Sequence, residues 1–339
     1  MGKLVVMKFG GTSVATKENR RHALAHVKAE LAKGSRVVAV ISAMGRKGAP
    51  YATDTLLSMI RQDADPETRD LLINCGETIA TCVFADELCQ EGIPARPFTA
   101  EGAKILTDNN FGNADIINID PVNIMETLDR GIVPVITGFQ GRTADGLATT
   151  IGRGGSDASA AIIGGYLKAD EVCLYTDVPG VAKTDPRIVP YAAFMDSVSA
   201  LDMQYLSNWG AFVIHPKAMA AVVRFRIPVL RVRSTFDTSE GTSVILEAEK
   251  RQGLVGVALI KSLSYKSDGE YALDGRRYGK VEGGAFGIIT AICYGITDDQ
   301  MKKLNSEFPM LLRNGNTLQA VVPMERAGEL TKLIYDTLN

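Results

Sequence analysis

Lys8-Phe9-Gly10-Gly11-Thr12-Ser13 sets a lysine at the end of an apolar run, with two glycines directly after it. Glycine lets backbone N–H groups come close to phosphate oxygens, and lysine adds a compact positive charge. The segment is not a Walker A loop, since G-x-x-x-x-G-K-[ST] is absent from the chain. A plain strand-to-helix turn with a neighbouring lysine accounts for the same residues. Gly152-Arg153-Gly154-Gly155-Ser156-Asp157 leads straight into the small-residue helix Ala158–Gly165. Glycines at a helix start, with Ser156 or Asp157 as cap, turn N–H donors and the positive dipole end toward a ligand. Arg153 beside them can clamp a carboxylate through two parallel hydrogen bonds. A glycine-rich connection with an ordinary cap is the alternative.

Three further segments carry polar chemistry. Tyr175-Thr176-Asp177-Val178-Pro179-Gly180-Val181, followed by Lys183-Thr184-Asp185-Pro186-Arg187, comes after an apolar run and is dense in turn residues, so it reads as a surface loop that can face a nucleotide. Cys75-Gly76-Glu77 puts an acid inside an apolar helical pattern. A buried glutamate without a partner is costly, so this one has a role or is partly exposed. Ser42-Ala43-Met44-Gly45 closes a strand and precedes Thr53-Asp54, as a loop or as a shelf for a substrate. The histidines do not form a metal-ligand set: His22 and His26 are four apart on a helix, and His215 lies in another segment. Neither a G-x-S-x-G elbow nor the protein-kinase signatures H-R-D and D-F-G occur.

These motifs need a scaffold that gathers them. The 339 residues, 46% hydrophobic and 22% charged, fit a two-domain globular enzyme, and a net charge of -2 without like-charge blocks argues against nucleic acid or a membrane surface as partner. The N-terminal apolar run is too short for a secretory signal, and no stretch approaches the ~20 apolar residues of a membrane span. Five cysteines, an odd number without ligand spacing, point to a reduced, cytoplasmic protein; Cys75, Cys82 and Cys89 recur every seven residues along one helix face and are expected to be buried thiols. Strand signals at 3–9, 37–41, 132–138, 170–176 and 228–233 alternate with helical patterns at 17–31, 66–91, 156–167 and 216–225. Apolar strands without a polar face predict an α/β fold with a mainly parallel sheet covered by helices on both sides, and in such sheets ligands bind at the carboxyl ends of the strands. The polar motifs all fall there. A charged stretch ending in Gly253 marks a boundary between domains 1–247 and 253–339. Beyond it, 254–264 and 286–295 read as strands and 298–308 as a helix. Asn314-Gly315-Asn316 reads as a hairpin turn and 325–338 as a helix, together a small ferredoxin-like α/β module.

In order along the chain, KFGGTSV (8–14), SAMGRKGAPYATDTLL (42–57), CGETI (75–79), GFQG (138–141), TTIGRGGSDASA (149–160), YTDVPGV (175–181), TDPRIV (184–189) and VLRVRSTF (229–236) resemble the amino-acid kinase superfamily and, within it, the aspartokinases, most of all the monofunctional Gram-positive type. The resemblance covers roughly residues 3–245. It implies the amino-acid kinase fold, phosphorylation of the β-carboxylate of L-aspartate by ATP with Mg²⁺, and a homodimer or higher homo-oligomer. It places Lys8, Gly10, Gly11 and Ser13 on the ATP phosphates. Ser42, Thr53, Glu77, Arg153, Gly154, Gly155 and Ser156 fall on aspartate, with Arg153 at its α-carboxylate and Glu77 near its ammonium group. Asp157 organises the charged centre. Thr176, Asp177, Lys183, Asp185 and Arg187 meet the nucleotide, and Lys217 is a further cation near the phosphates. Pro179 stands where the family usually has an acid and Lys183 where a tyrosine is common. About 90 residues follow the boundary, room for a single ACT-like regulatory or dimerisation module where the family usually has two.

Overall fold

The structure, a computed structural model, describes the chain apart from residues 1, 153, 212, 247–251, 262–269, 274–275, 281–285 and 309–310, and only the backbone of 270–273 and 276–280. The elements begin with β1 (Leu4–Phe9), α1 (Lys17–Ala32), β2 (Arg36–Ile41), α2 (Thr53–Leu57), α3 (Pro66–Gln90), β3 (Ala95–Phe98), β4 (Ile105–Thr107), β5 (Ile116–Ile119), α4 (Val122–Asp129), β6 (Val133–Thr137), β7 (Gln140–Arg142), β8 (Ala148–Thr150), α5 (Gly155–Leu167) and β9 (Glu171–Thr176). They continue with β10 (Ser197–Ser199), α6 (Ala200–Asn208), α7 (Pro216–Phe225), β11 (Val229–Ser234), β12 (Thr242–Ile245), β13 (Gly253–Lys261), β14 (Glu270–Leu273), β15 (Arg276–Lys280), β16 (Phe286–Tyr294), α8 (Asp298–Glu307), β17 (Leu311–Asn314), β18 (Thr317–Pro323) and α9 (Ala327–Leu338). Contacts divide them into two units, Met1–Gly180 with His215–Leu246 and Val181–Ile214 with Glu247–Asn339.

In the first unit the main strands lie in the order β12-β11-β9-β1-β2-β6-β3. Every neighbouring pair is parallel except β11 with β12. Interior parallel strands are covered on both faces, which is why Leu4–Phe9 is buried throughout and shows no polar alternation. The side chains still point alternately to the two faces. Val5, Met7 and Phe9 enter a core with Leu24 and Val27 of α1 and Phe84 and Leu88 of α3. Val6 faces α5, where Gly164 leaves room for Val6 and Val172, and Phe225 of α7 packs over Gly165. Lys8 shares the Val6 face, so strand alternation alone aims its amine toward α5.

The cysteine expectation is corrected. Cys75, Cys82 and Cys89 are exposed, and all five cysteines are free. The seven-residue spacing does put the three on one face of α3. The larger apolar side chains Ile73, Phe84 and Leu88 claim the opposite face for the core. A second sheet, ordered β5-β4-β7-β8, was not expected; its strands have three or four residues, too few to carry a periodic signal.

The second unit is built on the antiparallel order β13-β16-β18-β17. That is the ferredoxin-like order with its fourth strand supplied from the N-terminal side by β13. Ile289, Ala291, Leu318, Ala320 and Val322 face a core closed by Leu304 of α8 and by Leu330 and Ile334 of α9. Residues 181–214, on the near side of the boundary drawn from sequence, cluster here instead. The reason is packing. Val189 and Ala192 enter the same core, and Val257 N donates to Lys183 O at 2.6 Å. From α6, Asp202 Oδ1 accepts from the Tyr294 hydroxyl at 3.1 Å, and Leu206 fills the space that a side chain on Gly256 would need. β14 and β15 form a separate two-stranded pair. No described helix is long and apolar enough to cross a membrane.

Candidate functional site

The loops that follow β1, β2, β6 and β9 carry most of the candidate residues, at the strand ends where an open α/β sheet binds ligands. Lys8, one residue from the end of β1, is 8% exposed, and its Nζ lies 2.6 Å from Asp157 Oδ1 in the first turn of α5. After β1 the chain must pass very close to the loop after β2. Gly45 N donates to Gly11 O at 2.9 Å, and a Cβ on Gly11 would lie 2.6 Å from Gly45 O and 2.9 Å from Ala43 O. Only glycine permits that backbone-to-backbone approach. Gly10 N donates to Tyr175 O at 3.2 Å, tying the same loop to the end of β9. Ser13 is fully buried, with its hydroxyl 2.6 Å from that of Thr235, so it braces the glycine loop from beneath.

The next layer is α5. Gly154, at φ +73, is its N-cap and supplies no side-chain cap. The first turn is admitted by Gly138 after β6, where a Cβ would come 2.8 Å from Ser156 Cβ. Ser42 Oγ donates to Ser156 Oγ at 2.9 Å and joins the end of β2 to this turn. His215, the N-cap of α7, closes over Gly154. Burial lowers the His215 pKa, opposed by the nearby Asp157 carboxylate.

A cavity of about 360 Å³ opens between these loops and α3, and Ser42, Thr53, Glu77, Gly154, Gly155 and Ser156 all line it. Arg153 lies outside the described residues. Glu77 is 3% exposed, its Oε1 accepts from Ala43 N at 3.2 Å, and among the described residues its buried Oε2 finds no hydrogen-bond partner. Burial pushes its pKa up to about 8. A carboxyl group buried at the wall of a cavity with one oxygen unpaired is suited to receive a cationic group from a ligand.

The nucleotide-side residues divide. Thr176 and Asp177 follow β9, and the Thr176 hydroxyl donates to Asp177 Oδ1 at 3.2 Å. Lys183, Asp185 and Arg187 belong to the second unit. There Lys183 Nζ donates to Asn339 Oδ1 at 2.8 Å, and Arg187 holds Asp185 through Nε and Nη2, keeping that carboxyl below its ordinary range. Lys217, expected as a further cation near the phosphates, is engaged by its neighbours. Its Nζ pairs with Asp115 Oδ1 at 2.9 Å and donates to Asn113 Oδ1 and to the carbonyls of Ala114 and Ile151. It stitches the 113–115 loop to the residue preceding the second glycine motif.

Asp70 was not singled out from sequence. It lines the cavity two helical turns before Glu77, is 1% exposed, and accepts from Gly112 N, Thr150 N and Thr150 Oγ1, each at 2.8 Å. The i, i+7 spacing from Glu77 was the available signal. Asp70→Ala strands these buried donors and should cost on the order of 1–3 kcal/mol of stability. Asp70→Asn keeps a carbonyl oxygen for the two N–H groups and should lose far less. Calorimetric melting of the two variants checks this, and equal losses would refute it.

The profile of the amino acid kinase family matches residues 3–230. The chain is 40% identical over 272 residues to aspartokinase 1 of Bacillus subtilis (strain 168), covering 77% of this chain and 67% of that protein. It is 40% identical over 255 residues to the aspartokinase of Geobacillus stearothermophilus, covering 74% of this chain and 61% of that protein. The chain thus spans about 61–67% of the length of these curated relatives. Among solved structures it is similar to E. coli aspartokinase III in complex with aspartate and ADP (R-state), with a TM-score of 0.79 and 22% identity over 99% of this chain and 100% of that one. At that identity the likeness speaks for the fold.

Proposed function

Because the chain belongs to the amino acid kinase family, we propose that it transfers the γ-phosphoryl group of ATP to the β-carboxylate of L-aspartate, forming 4-phospho-L-aspartate and ADP. The observation that carries this reading is the buried Glu77 oxygen, without a partner among the described residues, in the same cavity as Ser42, Thr53 and Ser156, with the Lys8–Asp157 pair at the adjoining strand end. The aspartate and ADP held by the E. coli relative support it.

On this reading Glu77 takes the ammonium group of aspartate. Ser42, Thr53, Ser156 and the backbone of Gly154–Gly155 orient the remaining carboxylate oxygens, with Arg153 at the α-carboxylate. The nucleophile is an ordinary carboxylate, with an unperturbed pKa of about 3.9, and needs no general base. The obstacle is the approach of one anion to another. Lys8 and the backbone donors of Gly10 and Gly11 address it by alignment and by positive potential at the transferred group. Asp157 holds the Lys8 amine in place. Ser13 supports the phosphate loop from below, while Thr176 and Asp177 close its β9 side. Lys217 positions the glycine motif. Mg²⁺, arriving on the nucleotide, supplies charge neutralisation.

The ferredoxin-like sheet of the second unit is read as a single ACT-like module for regulation or homodimerisation in a cytoplasmic enzyme of the aspartate-family pathway to lysine, threonine and methionine. A coupled assay of ADP release, with aspartate, glutamate and their N-acetyl forms as acceptors, tests the central claim. Release with aspartate alone is expected, and release only with another acid would replace the substrate. Repeating the assay with lysine, threonine or methionine added tests the module.

A further inference from the structure

Arg46 follows the Gly11–Gly45 backbone contact directly, so its Cα is anchored at the phosphate loop. Its Nε donates to Thr12 Oγ1 at 3.1 Å and its Nη2 pairs with Asp177 Oδ2 at 2.6 Å. The guanidinium therefore spans from the loop after β1 to the loop after β9, on the side of the two glycines. The ion pair is open to solvent, with side-chain exposures of 73% for Arg46 and 38% for Asp177. A pair this exposed contributes little and is exchanged at small cost. A phosphate offers more charge than Asp177 and a pair of oxygens that the planar fork of an arginine matches. Two of the other cations assigned to the nucleotide differ: Lys8 is a buried point charge on Asp157, and Lys217 is engaged by the 113–115 loop.

We propose that Arg46 is a further nucleotide contact, which leaves Asp177 on binding and takes the β- or γ-phosphate of the nucleoside triphosphate. The proposal rests on the nucleotide reading of the glycine loop. Its consequence is selectivity by phosphate number, because an arginine placed there meets a β-phosphate and not the α-phosphate alone.

Titration calorimetry with Mg-ADP, a non-hydrolysable ATP analogue and AMP tests it on the unmodified protein, Arg46→Ala, Arg46→Lys and the exposed control Arg61→Ala. Arg46→Ala should bind ADP and the ATP analogue about 10- to 100-fold more weakly, the scale of one charge-assisted hydrogen-bonded contact, with AMP binding unchanged. Arg46→Lys should fall between, since it keeps the charge and loses the fork. Arg61→Ala, and the melting temperature of every variant, should match the unmodified protein. ADP binding within about twofold of normal in Arg46→Ala, or an equal loss for AMP, overturns the proposal while leaving the proposed function standing. An unmodified protein that binds no nucleotide overturns both.

Discussion

Lys8→Ala is expected to lower kcat by on the order of 10²- to 10³-fold, the range typical of deleting one preorganised electrostatic contact to a transition state, with the fold intact. Two observations separate the catalytic effect from a structural one. β1 is held by backbone pairing to β2 on one side and β9 on the other, which alanine preserves. The Lys8 amine sits at the top of that strand beside Asp157, whose side chain keeps 17% exposure and can hydrate once the amine is gone. Melting temperature and circular dichroism should therefore change little while turnover collapses. Lys8→Arg should recover only part of the rate, because a planar guanidinium cannot occupy the position of a compact ammonium. Near-normal turnover in Lys8→Ala would remove Lys8 from the mechanism.

Glu77→Gln should separate affinity from stability. If the buried carboxylate takes the substrate's ammonium group, the neutral amide weakens aspartate binding on the order of 10- to 100-fold, as losing one charged hydrogen-bonded partner does, and leaves ATP binding untouched. Stability moves the other way. The folded pKa of Glu77, about 8, lies above its ordinary 4.5, so the protonated form suits the fold. Its favourable contribution is fully present below pH 4.5 and is lost as pH rises through about 8, where an uncompensated carboxylate must be held in the interior. Glu77→Gln cannot ionise, so it should melt several degrees above the unmodified protein at pH 9 and close to it at pH 5. The same titration makes aspartate affinity in the unmodified protein climb as pH rises toward about 8, and that slope should vanish in Glu77→Gln. Melting curves that run parallel across that range would show that Glu77 does not titrate as the burial requires.

Much of the scaffold was legible because burial on both faces writes itself into sequence. The apolar runs of β1, β2, β6 and β9 and the amphipathic or small-residue helices between them appear where patterning puts them. The ferredoxin-like order of the tail was readable for the same reason, helped by the hairpin turn at Gly315. The glycine motifs were legible through chemistry. Gly11, Gly138 and Gly154 stand where a Cβ would strike backbone or a neighbouring side chain.

Other features depended on which side chains meet. The heptad of Cys75, Cys82 and Cys89 defines a face of α3, but spacing is symmetric with respect to inside and outside. The competition with Ile73, Phe84 and Leu88 for the core settles the direction. Residues 181–214 read as part of the catalytic domain because they are contiguous with it; α6 lies instead against β13 and β16, a pairing far apart in the chain. Asp70 and Arg46 look like ordinary charges until Thr150 and Asp177 are placed beside them.

By itself, the sequence determined the residue types able to carry phosphoryl transfer and the strands that end at them, because periodicity and glycine placement are local properties of the chain. Tertiary structure alone decided which charges are available and which are already committed. That depends on partners far apart in the chain, 131 residues in the case of Arg46 and Asp177, and on how deeply each group is removed from water. It is why Glu77 keeps one oxygen without a partner among the described residues in the cavity wall, while Lys217 and Asp70 serve to hold the walls together.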